Sequence, residues 1–482
     1  MHELMINLDM DRCLYEQIYE HIKKEIREGK LLAGEKLPST RYMANYLQIS
    51  RSTLEMAYAQ LLAEGYIQAK PRKGYYICGL TNLLQIHDKQ PYLPIAGESV
   101  GKSDQGKQQP FSYRYDFSPH GIGINEFPVA TWKKISRDVL AGVNNGMFSM
   151  GDPQGDGRLR ETISRYLHSA RGVNCTPEQI VIGAGNDYLL MLLEKIFDGK
   201  REIAMETPTY MRAYRIFKSF QWKISVMPLD EQGMSVDALA GSSADIAYVM
   251  PSHQFPTGIV MPIARRMELL GWAMEGADRY LIEDDYDSEF RYRGKPIPSL
   301  QASDRYDKVI YLGTFSKSIA PAIRISYMVL PVPLLKQYRE KCYFYSSTVS
   351  RIDQEILTTF IGLGYFERHV NKMRNLYREK HDVLLEAVRP LHQIFTVSGE
   401  HAGLHILLTA KNLKKEAWYI QEAKKAGIKV YGLTETSPGA AMPETILLGY
   451  GGLTKEEIIA GTDILKQVWL SETAIPAGKI CT

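Results

Sequence analysis

Between residues 80 and 110 the chain loses every hydrophobic period, and this break constrains its architecture more than any other feature. The stretch includes GESVGKSDQGKQQP, rich in Gly, Ser, Lys and Gln, and holds too little apolar surface to join a core. A flexible linker is expected there. At 482 residues the chain is in any case too long for one ordinary core. The expected organisation is a small domain at 1–79, the linker at 80–110 and a large domain at 111–482. No apolar run approaches the roughly 20 residues that span a bilayer, so a membrane-spanning role is excluded. The start, Met1-His2-Glu3, lacks the basic and apolar pattern of a signal peptide, and a cytoplasmic protein is expected. The five cysteines are scattered without zinc-site spacing, which predicts reduced structural thiols and no metal site.

In the first domain Tyr15, Ile18, Tyr19, Ile22 and Ile26 recur at helical spacing up to Gly29, predicting an amphipathic helix. After Gly34 and Pro38, Ser39 can cap a second helix whose inner side is Met43, Ala44 and Leu47. Gln48 and Ile49 form a turn, and Ser50 caps a third helix ending at Gly65, with Leu54, Ala57, Tyr58, Leu61 and Leu62 facing inward. In a helix-turn-helix of this kind the first turn of the last helix enters the major groove. Ser50, Arg51, Ser52 and Thr53 are therefore the candidate contacts to bases or phosphates, with Arg41 placed for a phosphate. Tyr66 to Ala69 and Tyr75 to Cys78 read as a hairpin around Lys70, Pro71, Arg72, Lys73 and Gly74, a wing with a basic tip suited to the DNA backbone. The net charge of the whole chain, +3, says little about nucleic acid. From Lys36 to Gly79, however, six basic residues stand against two acidic ones. Spacing alone also allows three packed helices with a solvated basic turn.

Beyond residue 111, short apolar runs alternate with longer helical patterns: Ile180 to Ile182, Ile203 to Met205, Ile246 to Met250, Tyr280 to Ile282, Val309 to Leu312 and Ile325 to Leu330. The alternation predicts an α/β sheet, in which ligands bind beyond strand ends. Four endings carry chemistry. Gly183-Ala184-Gly185-Asn186 leads into a helix near Asp187; its free N–H groups suit a phosphate, or its small residues let a helix pack closely. Asp187 sets a negative charge beside that place without an evident reason. Glu283-Asp284-Asp285-Tyr286 follows a buried strand as a metal site, a solvated loop or part of the ligand site. Thr314-Phe315-Ser316-Lys317-Ser318, followed by Arg324, sets a lysine among hydroxyls near a guanidinium, which suits an imine to an aldehyde cofactor with a phosphate. Thr207-Pro208-Thr209-Tyr210 offers a ring that could stack on a planar cofactor.

Two resemblances sharpen these expectations. YEQIYEHIKKEIREGKLLAGEKLPSTRYMANYLQISRSTLEMAYAQLLAEGYIQAKPRKGYYI closely resembles the winged-helix domain of GntR-type bacterial repressors. From SYRYDFSPHG onward the chain resembles fold-type I aminotransferases, with GDPQGDGRLRETISRYLHSARGV, PSHQFPTG, IEDDYDSEF and GTFSKSIAPAIRISYMV as landmarks in order. The combination resembles the MocR subfamily of GntR-type regulators. The resemblance implies a multidomain fold, an α+β winged helix-turn-helix followed by an α/β PLP-dependent transferase domain of fold type I. It implies pyridoxal 5'-phosphate held as an aldimine on Lys317, Asp284 at the pyridine nitrogen, Tyr286 at the phenolate oxygen and Tyr210 stacked on the ring. The phosphate would be held by Thr314, Ser316, Arg324 and the Gly185-Asn186 turn. Its partners would be operator DNA, a small amine or amino-acid-like effector, and a second copy in a head-to-tail homodimer.

The chain departs from the enzyme pattern at several points. Phe255 stands where the enzymes carry an asparagine that bonds the phenolate oxygen, Met150 where they carry a tyrosine, and the segment from Ile446 to Tyr450 has no arginine for a substrate carboxylate. A GABA-responsive member of the subfamily has an arginine in the loop matching Tyr431 to Glu435, where this chain has Glu435. A carboxylate effector would be repelled there, while an amine or neutral polar group would be accepted. Arg212 remains as an anion contact. The expected function is thus a DNA-binding regulator that senses an amine effector other than GABA through Lys317. An aminotransferase tethered to DNA and a direct sensor of PLP are the alternatives.

Overall fold

The computed structural model describes residues 6, 8–79, 112–142, 145–292, 297–399, 403–411 and 414–470. The linker expected at 80–110 lies outside the described residues. The chain divides into two compact units, Met1–Gln109 and Pro110–Thr482. Among the described residues no helix is long and apolar enough to cross a membrane.

In the first unit, helices Leu14–Arg27, Thr40–Leu47 and Arg51–Ala63 precede an antiparallel hairpin of Ile67–Lys70 and Gly74–Ile77. The two predicted caps form: Ser39 Oγ accepts from the Tyr42 N–H at 3.2 Å and Ser50 Oγ from the Thr53 N–H at 3.1 Å. Between them Gln48 takes the left-handed conformation, φ +54°, that ends the second helix and turns the chain. Ile18, Ile22, Leu54, Ala57, Tyr58 and Leu61 are fully buried, and each large apolar side chain among them stabilises the unit by about 1.5–3 kcal/mol. Leu62 corrects the expected inward face, being 41% exposed. It lies roughly 100° around the helix from Leu61, which already fills the core.

All six predicted runs are strands of one eight-stranded sheet in the second unit. In spatial order its strands are Ile180–Gly183, Ser326–Val329, Val309–Thr314, Tyr280–Asp285, Ile246–Val249, Glu202–Thr207, Lys223–Asp230 and Gly233–Met234. The five from Val309–Thr314 to Lys223–Asp230 run parallel, and Ser326–Val329 is antiparallel to both its neighbours. The central strands, buried on both faces, read as continuous apolar runs. The strand Lys223–Asp230 had no such signal, because near the sheet edge only Met227 is buried and its other residues are half-exposed or exposed. Glu283, Asp284 and Asp285, expected after a strand, are its last three residues. A second, antiparallel sheet of Phe395–Ser398, His405–Ala410, Thr445–Gly449 and Tyr431–Gly432 follows the long helix Tyr365–Val388. Its strands Tyr431–Gly432 and Thr445–Gly449 contribute to the cavity described next.

Candidate functional site

Parallel strands release the chain along one edge of the sheet, and the chemistry gathers there. After Ile180–Gly183 the backbone passes through Gly185 at φ +97°, where a Cβ would lie 2.2 Å from Arg324 Nη2. Only glycine lets the two approach. Helix Asn186–Phe197 begins at once. Asn186 Nδ2 donates to Asp284 Oδ1 at 3.4 Å, while its own Oδ1 is buried without a partner. Asp187, puzzling beside an anion site, lies 3.4 Å from Arg212 Nη1 and 3.6 Å from Arg324 Nη2, so its charge is matched by two guanidinium groups.

The acid run divides its labour. Glu283 accepts the N–H groups of Leu300 and Gln301 at 2.7 and 2.9 Å. Asp285 accepts Arg171 Nε at 2.8 Å, Ser288 Oγ at 2.9 Å and the Tyr311 hydroxyl. Both are therefore struts of the fold, and the run is neither a solvated loop nor a metal cluster; among the described residues no group of three metal-ligating side chains assembles. Asp284 alone of the three reaches the cavity. It accepts from the Tyr248 hydroxyl and from Asn186, and burial pushes its carboxyl up to about 7.

Strand Val309–Thr314 runs into a single helical turn, Phe315–Ser318, capped by Thr314, whose Oγ1 accepts from the Ser316 N–H at 3.1 Å and from Ser326 Oγ at 2.8 Å. This turn presents Lys317, whose Nζ donates to the His120 carbonyl at 3.3 Å. Removal from bulk water holds the amine down at about 8, against the opposing pull of Asp287. The Ser316 hydroxyl is buried with no hydrogen-bond partner. Tyr210 opens helix Met211–Ser219, its ring edge-on to His120 and Phe255 at 6.0 and 6.1 Å. The Tyr286 hydroxyl lies 3.0 Å from His253 Nδ1.

Gly185, Asn186, Tyr210, Asp284, Tyr286, Thr314, Ser316, Lys317 and Arg324, together with Arg212 and Glu435, all line one cavity of about 710 Å³. The residues fit a phosphorylated aldehyde. An amine of lowered basicity, a carboxyl able to face a ring nitrogen, and an orphaned hydroxyl beside a guanidinium and a helix start are the donor set such a group requires. Phe255 and Leu447, 4% and 1% exposed, supply apolar wall where the enzyme pattern has polar groups. Met150 is 84% exposed and is not part of the cavity lining. Glu435 stands at the rim, its carboxyl pushed up by partial burial and then by Glu416. Glu416, buried, accepts the N–H groups of Leu433 and Thr434 at 2.9 and 3.2 Å and so fixes that loop. Sequence reasoning missed His120, which stacks on Phe255 with ring centres 5.1 Å apart, and Arg215, one turn beyond Arg212. The helical spacing of Arg215 from Arg212 was a usable signal; for His120 there was none.

On the first unit Arg41, Arg51, Ser52, Lys70, Arg72, Lys73 and Gly74 are exposed, and Thr53 is half-buried. Arg51 pairs with Glu55 at 2.8 Å. The Ser50 hydroxyl is already engaged, with Ser52 Oγ at 2.8 Å and Thr53 Oγ1 at 2.7 Å besides its capping bond. Gly74, at φ +100°, closes the hairpin opposite Lys70.

Residues 14–77 match the family described as bacterial regulatory proteins, gntR family, and residues 121–458 match aminotransferase class I and II. The HTH-type transcriptional regulator YdeL of Bacillus subtilis (strain 168), itself uncharacterized, is 39% identical over 96% of this chain and 98% of its own. The probable rhizopine catabolism regulatory protein MocR of Rhizobium meliloti is 29% identical over 97% of this chain and 96% of its own. Among solved structures, an archaeal alanine:glyoxylate aminotransferase superposes with a TM-score of 0.68 at 24% identity, covering 74% of this chain and 91% of that one, which establishes the fold of the large unit. The chain belongs to the HTH-type transcriptional regulators of the MocR type, in which a GntR-family DNA-binding head is joined to an aminotransferase class I and II domain.

Proposed function

We propose that this regulator holds pyridoxal 5'-phosphate on Lys317 and uses it to sense a primary amine. The observation that carries the reading is the convergence of Lys317, Asp284, the orphaned Ser316 hydroxyl and Arg324 on one cavity. When bound, the aldehyde would supply a reversible covalent attachment point for an amine. Asp284 would keep a proton on the ring nitrogen, the pairing of the two offsetting the cost of burying either charge. Tyr286 would donate to the phenolate oxygen and Tyr210 would pack against the ring. The Gly185-Asn186 turn, Thr314, Ser316 and Arg324 would take the phosphate, and Arg324 would exchange Asp187 for it.

Arg212 and Glu435 would meet the effector. Glu435 has no ion pair among the described residues and Arg212 is paired with Asp187, which favours an amine beside Glu435, while Arg215 in the same lining would accept an anionic group elsewhere on the effector. The exposed arginines and lysines of the helix-turn-helix and wing would hold the operator, within boundaries of 1–79 for the head, 80–110 for the linker and 111–482 for the effector domain. Phe148, Met150 and Phe344, 70%, 84% and 76% exposed, offer apolar surface for a second copy in a head-to-tail dimer. Effector binding would then alter DNA affinity to the extent that it favours one DNA-binding state.

The test is a titration of the cofactor-loaded chain with an amine panel, followed by visible absorbance and by DNA mobility shift together. The expected result is a spectral change and a DNA-affinity change at the same amine concentration, both lost in Lys317→Ala. A Lys317→Ala protein that still responds to the amine would overturn the reading. Steady production of pyridoxamine phosphate from an amino donor would favour an enzyme.

A further inference from the structure

Behind the cavity wall, Tyr286, His253 and Asp287 meet at one nitrogen. His253 Nδ1 lies 3.0 Å from the Tyr286 hydroxyl and 3.0 and 3.2 Å from the two oxygens of Asp287. His253 and Asp287 are 3% and 5% exposed, so neither has bulk water as an alternative partner. The Asp287 carboxylate only accepts, so Nδ1 carries a hydrogen, and that one hydrogen is shared between the carboxylate and the Tyr286 oxygen, both 3.0 Å away. The ring is clamped at its far edge: a Cβ at Gly403 would lie 2.0 Å from His253 Cε1, and Nε2 is buried with no partner. Phe255 lies edge-on to Tyr286 with ring centres 6.3 Å apart and offers no donor. On the same strand end, Asp284 is occupied by Tyr248 and Asn186. Among the described residues Lys317, His405, Tyr292 and Tyr450 also sense the Asp287 charge, and Asp284 and Asp285 act on Tyr286 from its own strand end.

We propose that His253 and Asp287 are positioning residues for Tyr286: the His253 Nδ1–H, oriented by Asp287, supplies a hydrogen bond to the tyrosine oxygen and leaves the tyrosine hydrogen directed into the cavity. Without the imidazole, the nearest strong acceptor for Tyr286 is the Asp287 carboxylate, and its hydrogen would turn away from the cavity toward that anion. A hydroxyl has one hydrogen to give, so what its oxygen accepts decides where that hydrogen goes. The inference rests on the reading above in which Tyr286 faces the phenolate oxygen of bound pyridoxal phosphate.

The full chain, loaded with pyridoxal phosphate, is titrated with pH while the visible absorbance of the lysine-bound cofactor is followed. A donor to the phenolate oxygen favours the form with negative charge on that oxygen and so lowers the midpoint; losing the donor raises it. Tyr286→Phe is expected to raise the midpoint by about one pH unit, the size of one charge-assisted hydrogen bond. His253→Phe is expected to raise it by at least half as much, and His253→Asn, which keeps an N–H near the Nδ1 position, to restore most of the wild-type value. The double variant Tyr286→Phe/His253→Phe should match Tyr286→Phe alone, because positioning has no effect once the hydroxyl is gone. Equal midpoints in wild type and His253→Phe, or additive shifts in the double variant, would overturn the proposal. If His253→Phe does not load cofactor, His253→Asn against His253→Gln decides: equal midpoints in these two overturn it. A Tyr286→Phe midpoint unchanged from wild type would instead sink the underlying placement of Tyr286 at the phenolate oxygen.

Discussion

Ser50 at the start of helix Arg51–Ala63 and Ser316 beside Lys317 keep their hydroxyls in opposite states. Ser50 caps its helix and bonds two neighbouring hydroxyls, so its hydrogen-bonding capacity is used within the head. The Ser316 hydroxyl is buried and bonds nothing. The difference extends to the two regions around them. On the head, Arg41, Lys70, Arg72 and Lys73 are exposed cations, which water solvates at little cost. In the cavity the free groups are walled off, and leaving them unpaired is costly. A surface for a polyanion can be built with its cations in water; a buried polar atom in a cavity wall needs a partner there.

The largest effect expected from this contrast is on DNA. Replacing Lys70, Arg72 and Lys73 together by alanine should weaken binding by orders of magnitude at low salt. The slope of log affinity against log salt should fall by about one for each DNA phosphate that is no longer neutralised. The cavity should be untouched, with unchanged cofactor absorbance. A triple variant with the wild-type salt slope would remove the wing from the interface and break the comparison on the side of the head.

The next effect is on the cavity and depends on pH. With Lys317 held at about 8, its amine is mostly protonated at pH 6 and mostly neutral at pH 9. Only the neutral amine attacks an aldehyde, so the rate of pyridoxal phosphate uptake by the stripped protein should rise about tenfold per pH unit up to about 8 and then level. Stopped-flow absorbance reads this directly. A rise continuing toward the ordinary lysine value would mean that the cavity does not desolvate the amine. DNA binding by the head, which contributes no residue to the cavity, should not follow that profile.

The same contrast explains what was legible in the sequence. The head could be read residue by residue because its information is local: two serine caps, a turn and a helical period within about fifty residues, where capping and periodicity dominate. Its one error, Leu62, came from placing an apolar residue inward by type when Leu61 already filled that face. Six strands of the large sheet were legible because they are buried runs, whereas Lys223–Asp230 and the strands of the second sheet were not read. Their shared cavity was not readable from any one segment, since its walls come from residues as distant as His120 and Leu447. Only resemblance joined Lys317, Asp284 and Gly185. The Glu283 to Asp285 run shows the limit most clearly, because three adjacent acids point to three different partners and alternation along a strand does not say which one meets a ligand. Nor could spacing pair His253 with Tyr286 across 33 residues.

The smallest predicted effects return to the two serines and test the comparison most sharply. Ser50→Ala removes a cap and should lower the stability of the head by about 1 kcal/mol, while leaving the salt slope of DNA binding unchanged. Ser316→Ala removes a buried hydroxyl that satisfies nothing, so the cofactor-free protein should keep its stability or gain about 1 kcal/mol. Loaded with pyridoxal phosphate, it should bind the cofactor roughly tenfold more weakly, the loss of one hydrogen bond to a charged group. Thermal unfolding of stripped and loaded protein separates these outcomes, because a residue kept for its ligand costs stability without the ligand and returns it when the ligand binds. If Ser316→Ala were destabilising in both states, its hydroxyl would have a partner within the protein after all, and the cavity would differ from the head in burial but not in readiness.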